Sequence, residues 1–182
     1  STGYFLLDYH IQRIAKSAQY FGWRFDERKI REKLSRLLPV EKHFKVRLLL
    51  SSRGDIKIEK ILLPAKSTAI PLLRLAQNPI HSDNIFLHHK TTQRSIYEAA
   101  QKNIKECDDI ILWNEIDQIT ETTICNIVLE KDNRMLTPQK SAGLLSGTMR
   151  QHLLDSGKIE EAALNKHDLF SCETVYVINS VQ

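Results

Sequence analysis

The stretch Phe86 to Tyr97, FLHHKTTQRSIY, sets how the rest of the chain is read. Lys90 closes a short apolar run, and a helical pattern opens at Ser95. That spacing predicts a lysine held between a strand end and a helix start. Most lysines are solvated surface groups, so Lys90 alone decides nothing. Three other stretches give it weight by supplying what a Schiff-base lysine needs. They are an acid inside an apolar run (Glu121), a glycine-containing helix start (Ser146 to Arg150) and a helical arginine near the front (Arg13).

Downstream of Lys90, the pattern predicts a helix over 95–104 and strands over 109–114 and 119–130. Thr120, Glu121, Thr122 and Thr123 interrupt the apolar character of the second strand. Asp132-Asn133 reads as a hairpin turn, 134–137 as a returning strand and 143–147 as a loop. Helices are expected over 148–155 and 165–170, and a buried strand over 174–178 delivers Asn179 and Ser180 to its end.

Upstream, 4–7 reads as a short strand. Asp8 is placed to cap a helix over 9–21 that stops at Gly22, with Ile11, Ile14, Ala15 and Ala18 on its core face. Asp26 caps a second helix burying Ile30, Leu34, Leu37 and Leu38 and ending at Pro39. Residues 44–51 and 56–61 flank the turn signal Ser52-Arg53-Gly54-Asp55 and predict a hairpin. With a further strand at 72–76, these elements make a first lobe over 1–77. QNPIHSDN, 78–84 with Gln77 before it, has linker composition, and 85–182 is a larger second lobe. The class is α+β.

The totals narrow the function. The chain has 182 residues, 42% of them hydrophobic and 26% charged, as in an ordinary soluble domain. No apolar run approaches a membrane span, and STGYFLLDYH lacks the basic and apolar regions of a signal peptide. Cys107, Cys125 and Cys172 are widely spaced, which argues against a disulfide framework or a zinc site and suits the cytoplasm. The net charge of +4 is mild and interspersed with acids, favouring a solvated surface over a nucleic-acid patch.

Each candidate has a plain alternative. Arg13 can be a solvated helix arginine. Glu121 can point to solvent or bond Thr122 or Thr123; burying it needs a cationic partner. Ser146 can simply cap the helix, although a loop ending in Ser-Gly at a helix start also offers unpaired N–H groups to an anion such as phosphate. His88 and His89 would point to opposite faces of a strand, so they make no metal pair. Cys125 is a packed small residue, and no metal, Rossmann or P-loop signature is present.

Taken in order, YHIQR, HHKTTQR, ITETTICN, LLSGTMR and VINSV resemble the class IV, or fold-type IV, pyridoxal-phosphate enzymes. The resemblance runs over nearly the whole chain. Within that superfamily, LHHKTTQRSIYEAA, ILWNEIDQITETTICNIVL and LTPQKSAGLLSGTMRQHLL are most similar to aminodeoxychorismate lyase domains, often fused behind para-aminobenzoate synthase component I. The resemblance implies a two-lobed fold like that of D-amino-acid aminotransferase, with a small α+β lobe and a larger β-rich lobe. It also implies pyridoxal 5'-phosphate as cofactor, a small anionic amine as substrate, and a homodimer that can be fused to or act with an aminodeoxychorismate synthase.

Residue by residue, the resemblance makes Lys90 the lysine that binds the cofactor covalently and Glu121 the glutamate facing the pyridine nitrogen. Arg13 binds the phosphate, as do the backbone amides of Gly147, Thr148 and Met149, with Ser180 near it. Met149 stands where many relatives carry threonine, so any contact there is through backbone or Thr148. Ser95 stands where some aminotransferases place a tyrosine that supports the cofactor oxygen; Tyr97 and Arg94 are the substitutes to consider. Relatives usually carry a further strand before YFLLDYH and run on past NSVQ. The motifs serve a lyase and an aminotransferase for D- or branched-chain amino acids alike, and the short ends fit a third reading, a cofactor-less assembly domain.

The phosphate assignment generates a prediction. Arg13→Ala is expected to weaken cofactor binding about tenfold to a hundredfold, the worth of one charge-assisted contact, with little change in turnover at saturating cofactor. A cofactor titration checks it, and unchanged affinity would return Arg13 to the solvated helix face.

Overall fold

The computed structural model describes residues 3–37, 43–64, 69–102 and 106–181. The chain divides into two compact units, one from the described residues of Ser1–Ser67 and one from those of Thr68–Ser180.

In the first unit, α1 (Leu7–Phe21) and α2 (Glu27–Ser35) accompany a hairpin of β1 (Phe44–Leu50) and β2 (Ile56–Leu62). Ile11, Ile30 and Leu34 are the buried centre, with Leu37, Val46, Leu48, Ile56 and Ile58 packed around them. The expected caps partly hold. Asp26 accepts from Lys29 N at 3.0 Å, and Gly22 ends α1 in the left-handed region at φ 66°. The strand expected at 4–7 does not form. Leu6, at φ 53°, turns the chain straight into α1, and Asp8 lies inside the helix, bonded to Arg31 at 2.6 Å. Tyr4 instead donates its hydroxyl to Leu34 O at 2.9 Å, so the apolar residues ahead of α1 pack on α2 without pairing as a strand. Leu38 and Pro39, expected at the end of α2, lie outside the described residues.

The second unit is built on a seven-stranded sheet in the order β3-β4-β5-β6-β7-β8, with β9 also paired to β6. Here β3 is Leu73–Leu75, β4 Asp109–Trp113, β5 Ile119–Thr122, β6 Asn126–Lys131, β7 Arg134–Pro138, β8 Glu160–Ala162 and β9 Thr174–Ile178. One core cluster, Ala76, Ile80, Leu87, Tyr97, Ile110 and Leu112, backs β4. A second, with Ile111, Ile119, Ile127, Leu129, Leu136 and Leu164, fills the centre of the sheet.

The strand expected at 72–76 in the first lobe pairs instead in parallel with β4, Leu73 opposite Asp109. The expected linker 78–84 therefore lies inside the second unit, where Ile80 bridges Asn114 and is buried. Its polar composition reflects capping and turn duties. Ser82 donates to Glu115 at 2.6 Å, and Asn84 caps the next helix.

The single strand expected over 119–130 is two antiparallel strands. Thr122 Oγ1 accepts from Cys125 N at 2.9 Å and Thr122 N donates to Cys125 O at 2.8 Å, which reverses the chain within 122–125. The other turn forms as read, with Asp132 and Asn133 both at positive φ between β6 and β7.

The remaining helices are α3 (Ile85–His88), α4 (Ser95–Gln101), α5 (Thr148–Asp155) and α6 (Lys166–Ser171), with a 3-10 turn at Lys140–Ala142. Ile104, expected to end α4, lies outside the described residues. A reciprocal capping box between Asn165 and Asp168 starts α6. Mixed helix and sheet in both units makes the fold α+β, as expected.

Leu129 is fully buried in the central cluster between β6 and its neighbours. Leu129→Ala is expected to destabilise the protein by about 2–5 kcal/mol through lost burial and a residual cavity. Urea unfolding checks this as a lowered midpoint.

Candidate active site

Lys90 does not follow a strand. Ile85–His88 forms one helical turn, α3, because Asn84 accepts from Phe86 N at 3.1 Å and Leu87 needs only that turn to reach the core. A three-residue apolar run fits helix or strand equally well, so periodicity could not separate them. His89 is extended, and Lys90 lies in the connection to α4. It is exposed, and it borders a hollow shared with His89, Arg94, Tyr97 and Leu145. Burial, with His88 and Lys140 nearby, holds His89 below the usual histidine range. His88 turns away to Ser82 O at 3.0 Å, and no metal-ligating cluster occurs among the described residues.

Glu121 is buried at 4% exposure on β5, directly opposite Asn126 on β6. The solvent-exposed alternative for this residue is therefore wrong, and so is the bond to Thr122 or Thr123. Its carboxylate accepts from Tyr97 Oη at 2.8 Å and Leu145 N at 3.1 Å on Oε1, and from Asn126 Nδ2 at 3.2 Å on Oε2. Desolvation dominates and pushes its pKa up to about 7, although the Leu145 and Tyr97 bonds and the charges of Lys90 and Arg150 pull the other way.

Both threonines serve the turn beyond Glu121. Thr123 is held by Asp109, whose Oδ1 accepts from Thr123 Oγ1 at 2.6 Å, by Gln101 and by Arg94, which donates to Thr123 O at 2.7 Å. The Arg94 guanidinium also lies 4.6 Å from the centre of the Tyr97 ring. Tyr97 is thus committed to Glu121. Burial and the adjacent carboxylate push its hydroxyl well above the usual phenol range, so it stays a donor.

The loop ahead of α5 meets the same group. Asn126 Nδ2 donates to Leu145 O at 2.8 Å. A Cβ at Gly147 would lie 2.0 Å from Asn126 Oδ1, so only glycine lets the loop pass. Ser146 does not cap α5. Gly147 is the N-cap, without a side-chain cap, and the Ser146 hydroxyl donates to Gln151 at 3.2 Å. Thr148 is buried in the first turn and Met149 half-buried beside it. The fully buried Arg150 anchors this turn to Pro138 O at 2.7 Å, Thr137 Oγ1 and Glu161. On the other side of β6, β9 pairs Ile178 with Asn126, which brings Asn179 and half-buried Ser180 to the same end. Asn179 donates to Cys125 Sγ at 3.0 Å, and Cys125 is a buried, packed thiol as read, its pKa raised by burial.

One end of the second unit therefore gathers Lys90, Glu121, Gly147, Thr148, Met149 and Ser180. Arg13 belongs to the first unit, half-buried on α1 and 3.5 Å from His10 Nδ1. Sequence reading passed over Asn126, and it weighed Tyr97 for a different role. The Glu121-to-Asn126 spacing across a tight hairpin was the available signal for the first.

The family match decides the identity. Residues 2–182 match the family described as Amino-transferase class IV. The chain belongs to this family. A Schizosaccharomyces pombe protein named "Putative aminodeoxychorismate lyase" is 34% identical over 185 residues, spanning 97% of this chain and 80% of that protein. The structure of a "Putative amino-acid aminotransferase" from Mesorhizobium loti superposes at TM-score 0.89 with 34% identity, covering 97% of this chain and 88% of that one. A PLP-bound hypothetical aminotransferase from Mycobacterium tuberculosis shares the fold at TM-score 0.79 with 18% identity, covering 97% and 73%.

This class IV chain is a pyridoxal-phosphate enzyme, and its residues fit the group. Three neutral donors leave the buried Glu121 short of a full positive partner, and Oε2 with a single donor retains acceptor capacity for a protonated ring nitrogen. The uncapped start of α5, narrowed to glycine at 147, suits a phosphate. No described helix is long and apolar enough to cross a membrane.

Glu121 generates a pH prediction. An unfolded glutamate titrates near 4.5, whereas the folded one is pushed up to about 7. Between those values the folded protein holds a proton that the unfolded chain releases. Its contribution to stability is therefore fully present below about 4.5, falls as pH rises to about 7 and is constant above. The cofactor-free wild type should lose up to about 1.4 kcal/mol per pH unit relative to Glu121→Gln across that window. Paired urea titrations from acidic to neutral pH check this, and parallel curves would contradict it.

Proposed function

We propose that this chain is a lyase converting 4-amino-4-deoxychorismate to 4-aminobenzoate and pyruvate, a step of folate synthesis. The observation that carries this reading is the 34% identity, over 97% of the chain, to the S. pombe protein named for that activity. The gathering of Lys90, Glu121 and the loop before α5 at one end of a single unit supports the chemistry.

Pyridoxal phosphate, when bound, supplies the electron sink that makes loss of a proton from an amine-bearing carbon feasible. Lys90 Nζ would hold the cofactor covalently, and would be released when a substrate amine takes its place. Its exposed position leaves it open to that exchange. The freed amine then takes the proton from the amine-bearing carbon. Loss of the pyruvate group from the neighbouring carbon follows, and aromatisation drives it. Glu121 Oε2 keeps a proton on the ring nitrogen, and Tyr97 and Asn126 keep the carboxylate aimed. The amides of Gly147, Thr148 and Met149, together with Ser180, bind the phosphate.

On sequence resemblance, Arg13 joins the phosphate ligands. The same resemblance supports a homodimer that acts beside, or fused to, an aminodeoxychorismate synthase as the source of its substrate, and the widely spaced cysteines suit the cytoplasm.

A second reading, an aminotransferase for D- or branched-chain amino acids, is favoured by the M. loti structure at 34% identity and TM-score 0.89. There the Lys90 amine would hand back the proton it had taken, with no loss of a carbon group. Incubation with 4-amino-4-deoxychorismate separates the two. Equal amounts of 4-aminobenzoate and pyruvate are expected; keto-acid release from amino acids, without 4-aminobenzoate, would favour the aminotransferase. In Lys90→Ala the visible absorbance of bound cofactor and the turnover should both be lost. A fully active variant would remove Lys90 from the mechanism.

A further inference from the structure

We propose that Asn126 is a positioning residue that locks the loop Leu145–Gly147 to Glu121, so that the grips on the cofactor's ring and phosphate move as one. The inference rests on the cofactor site described under Proposed function. Asn126 is 5% exposed, and its amide is divided between the two grips. Nδ2 donates to Glu121 Oε2 at 3.2 Å and to Leu145 O at 2.8 Å, which uses both N–H groups on different segments. Leu145 N in turn donates to Glu121 Oε1 at 3.1 Å. Leu145 is thus held through its N–H by the glutamate and through its carbonyl by the asparagine opposite that glutamate on the sheet.

The orientation of the amide is fixed by its surroundings. Exchanging Oδ1 and Nδ2 would set an acceptor against both a carboxylate and a carbonyl oxygen. Oδ1 instead packs against Gly147, where any Cβ would lie 2.0 Å away. The asparagine therefore fixes the loop twice, by a bond at Leu145 and by contact at Gly147, just before the start of α5. Aspartate has the same size but no N–H, and it would set a second acid beside Glu121.

Asn126→Ala and Asn126→Asp are compared with the wild type and with Leu164→Ala, a core truncation that controls for lost stability. Each is titrated with pyridoxal phosphate and with pyridoxal, which lacks the phosphate, and the bound phosphate is followed by 31P NMR. Both Asn126 variants should bind pyridoxal phosphate at least about tenfold more weakly, the scale set by losing buried hydrogen bonds. The loss should shrink for pyridoxal, the 31P resonance should move, and the Asn126→Ala effect should be smaller in a Glu121→Gln background.

Wild-type affinity and an unmoved 31P resonance in both variants would overturn the proposal alone. So would equal losses for the two cofactor forms, or the same losses in Leu164→Ala. Failure of the wild type itself to bind pyridoxal phosphate would overturn the reading of the site, and this inference with it.

Discussion

A carboxylate without water is the constraint around which the second unit is arranged. Glu121 sits on β5 between strands that are themselves buried, so its charge has no solvent to lean on. The fold meets this with donors from three different places: Tyr97 on α4, Asn126 on β6 and the Leu145 amide ahead of α5. None of the three is a cation, and desolvation keeps the pKa of the acid raised despite them. A structural acid would be better served by an arginine at bonding distance. An acid supplied only with neutral donors is suited to hold a positive charge that arrives from outside.

The same arrangement explains the tight chain geometry nearby. The reversal at 122–125 exists because Thr122 bonds across it, and it is this reversal that brings Asn126 opposite Glu121. Thr123, pinned by Asp109, Gln101 and Arg94, prevents the turn from relaxing outward. Arg94 then stacks on Tyr97, tying the helix after Lys90 to the strand that carries the acid. Sheet register, turn and helix are thus coupled through side chains that all end at one carboxylate. Rigid elements placed this way hold their side chains more closely than a free loop would.

Arg150 performs a related service at the other end of the loop. It is fully buried, and its bonds to Pro138 O, Thr137 and Glu161 fasten the first turn of α5 to β7 and the strand beside it. The helix start is consequently fixed from its own side by Arg150 and from the loop side by Asn126 and Glu121. A helix N-terminus binds an anion well only when its N–H groups are already aimed, so this double attachment matters to a phosphate more than the helix dipole alone does.

The sequence by itself determined the α+β class, the hairpin at 44–62, the capped helices at Asp26 and Asn165, and the strand that leads into Asn179. Each rests on local physics: alternation, turn residues and caps within a few positions of one another. Its ordered motifs also determined the family, because five short patterns at fixed separations constrain more than any one of them. Tertiary structure decided the rest. It made Ile85–His88 a helical turn, split 119–130 into two strands and moved 73–75 into the second unit's sheet, because short apolar runs take their conformation from available partners. It alone decided that Glu121 is buried, that Tyr97 serves the acid, and that Asn126 joins the acid to the loop before α5. The Glu121-to-Asn126 spacing hints at one of these pairs; the rest depend on which side chains meet across β5, β6 and the loop before α5, and only the tertiary fold sets that.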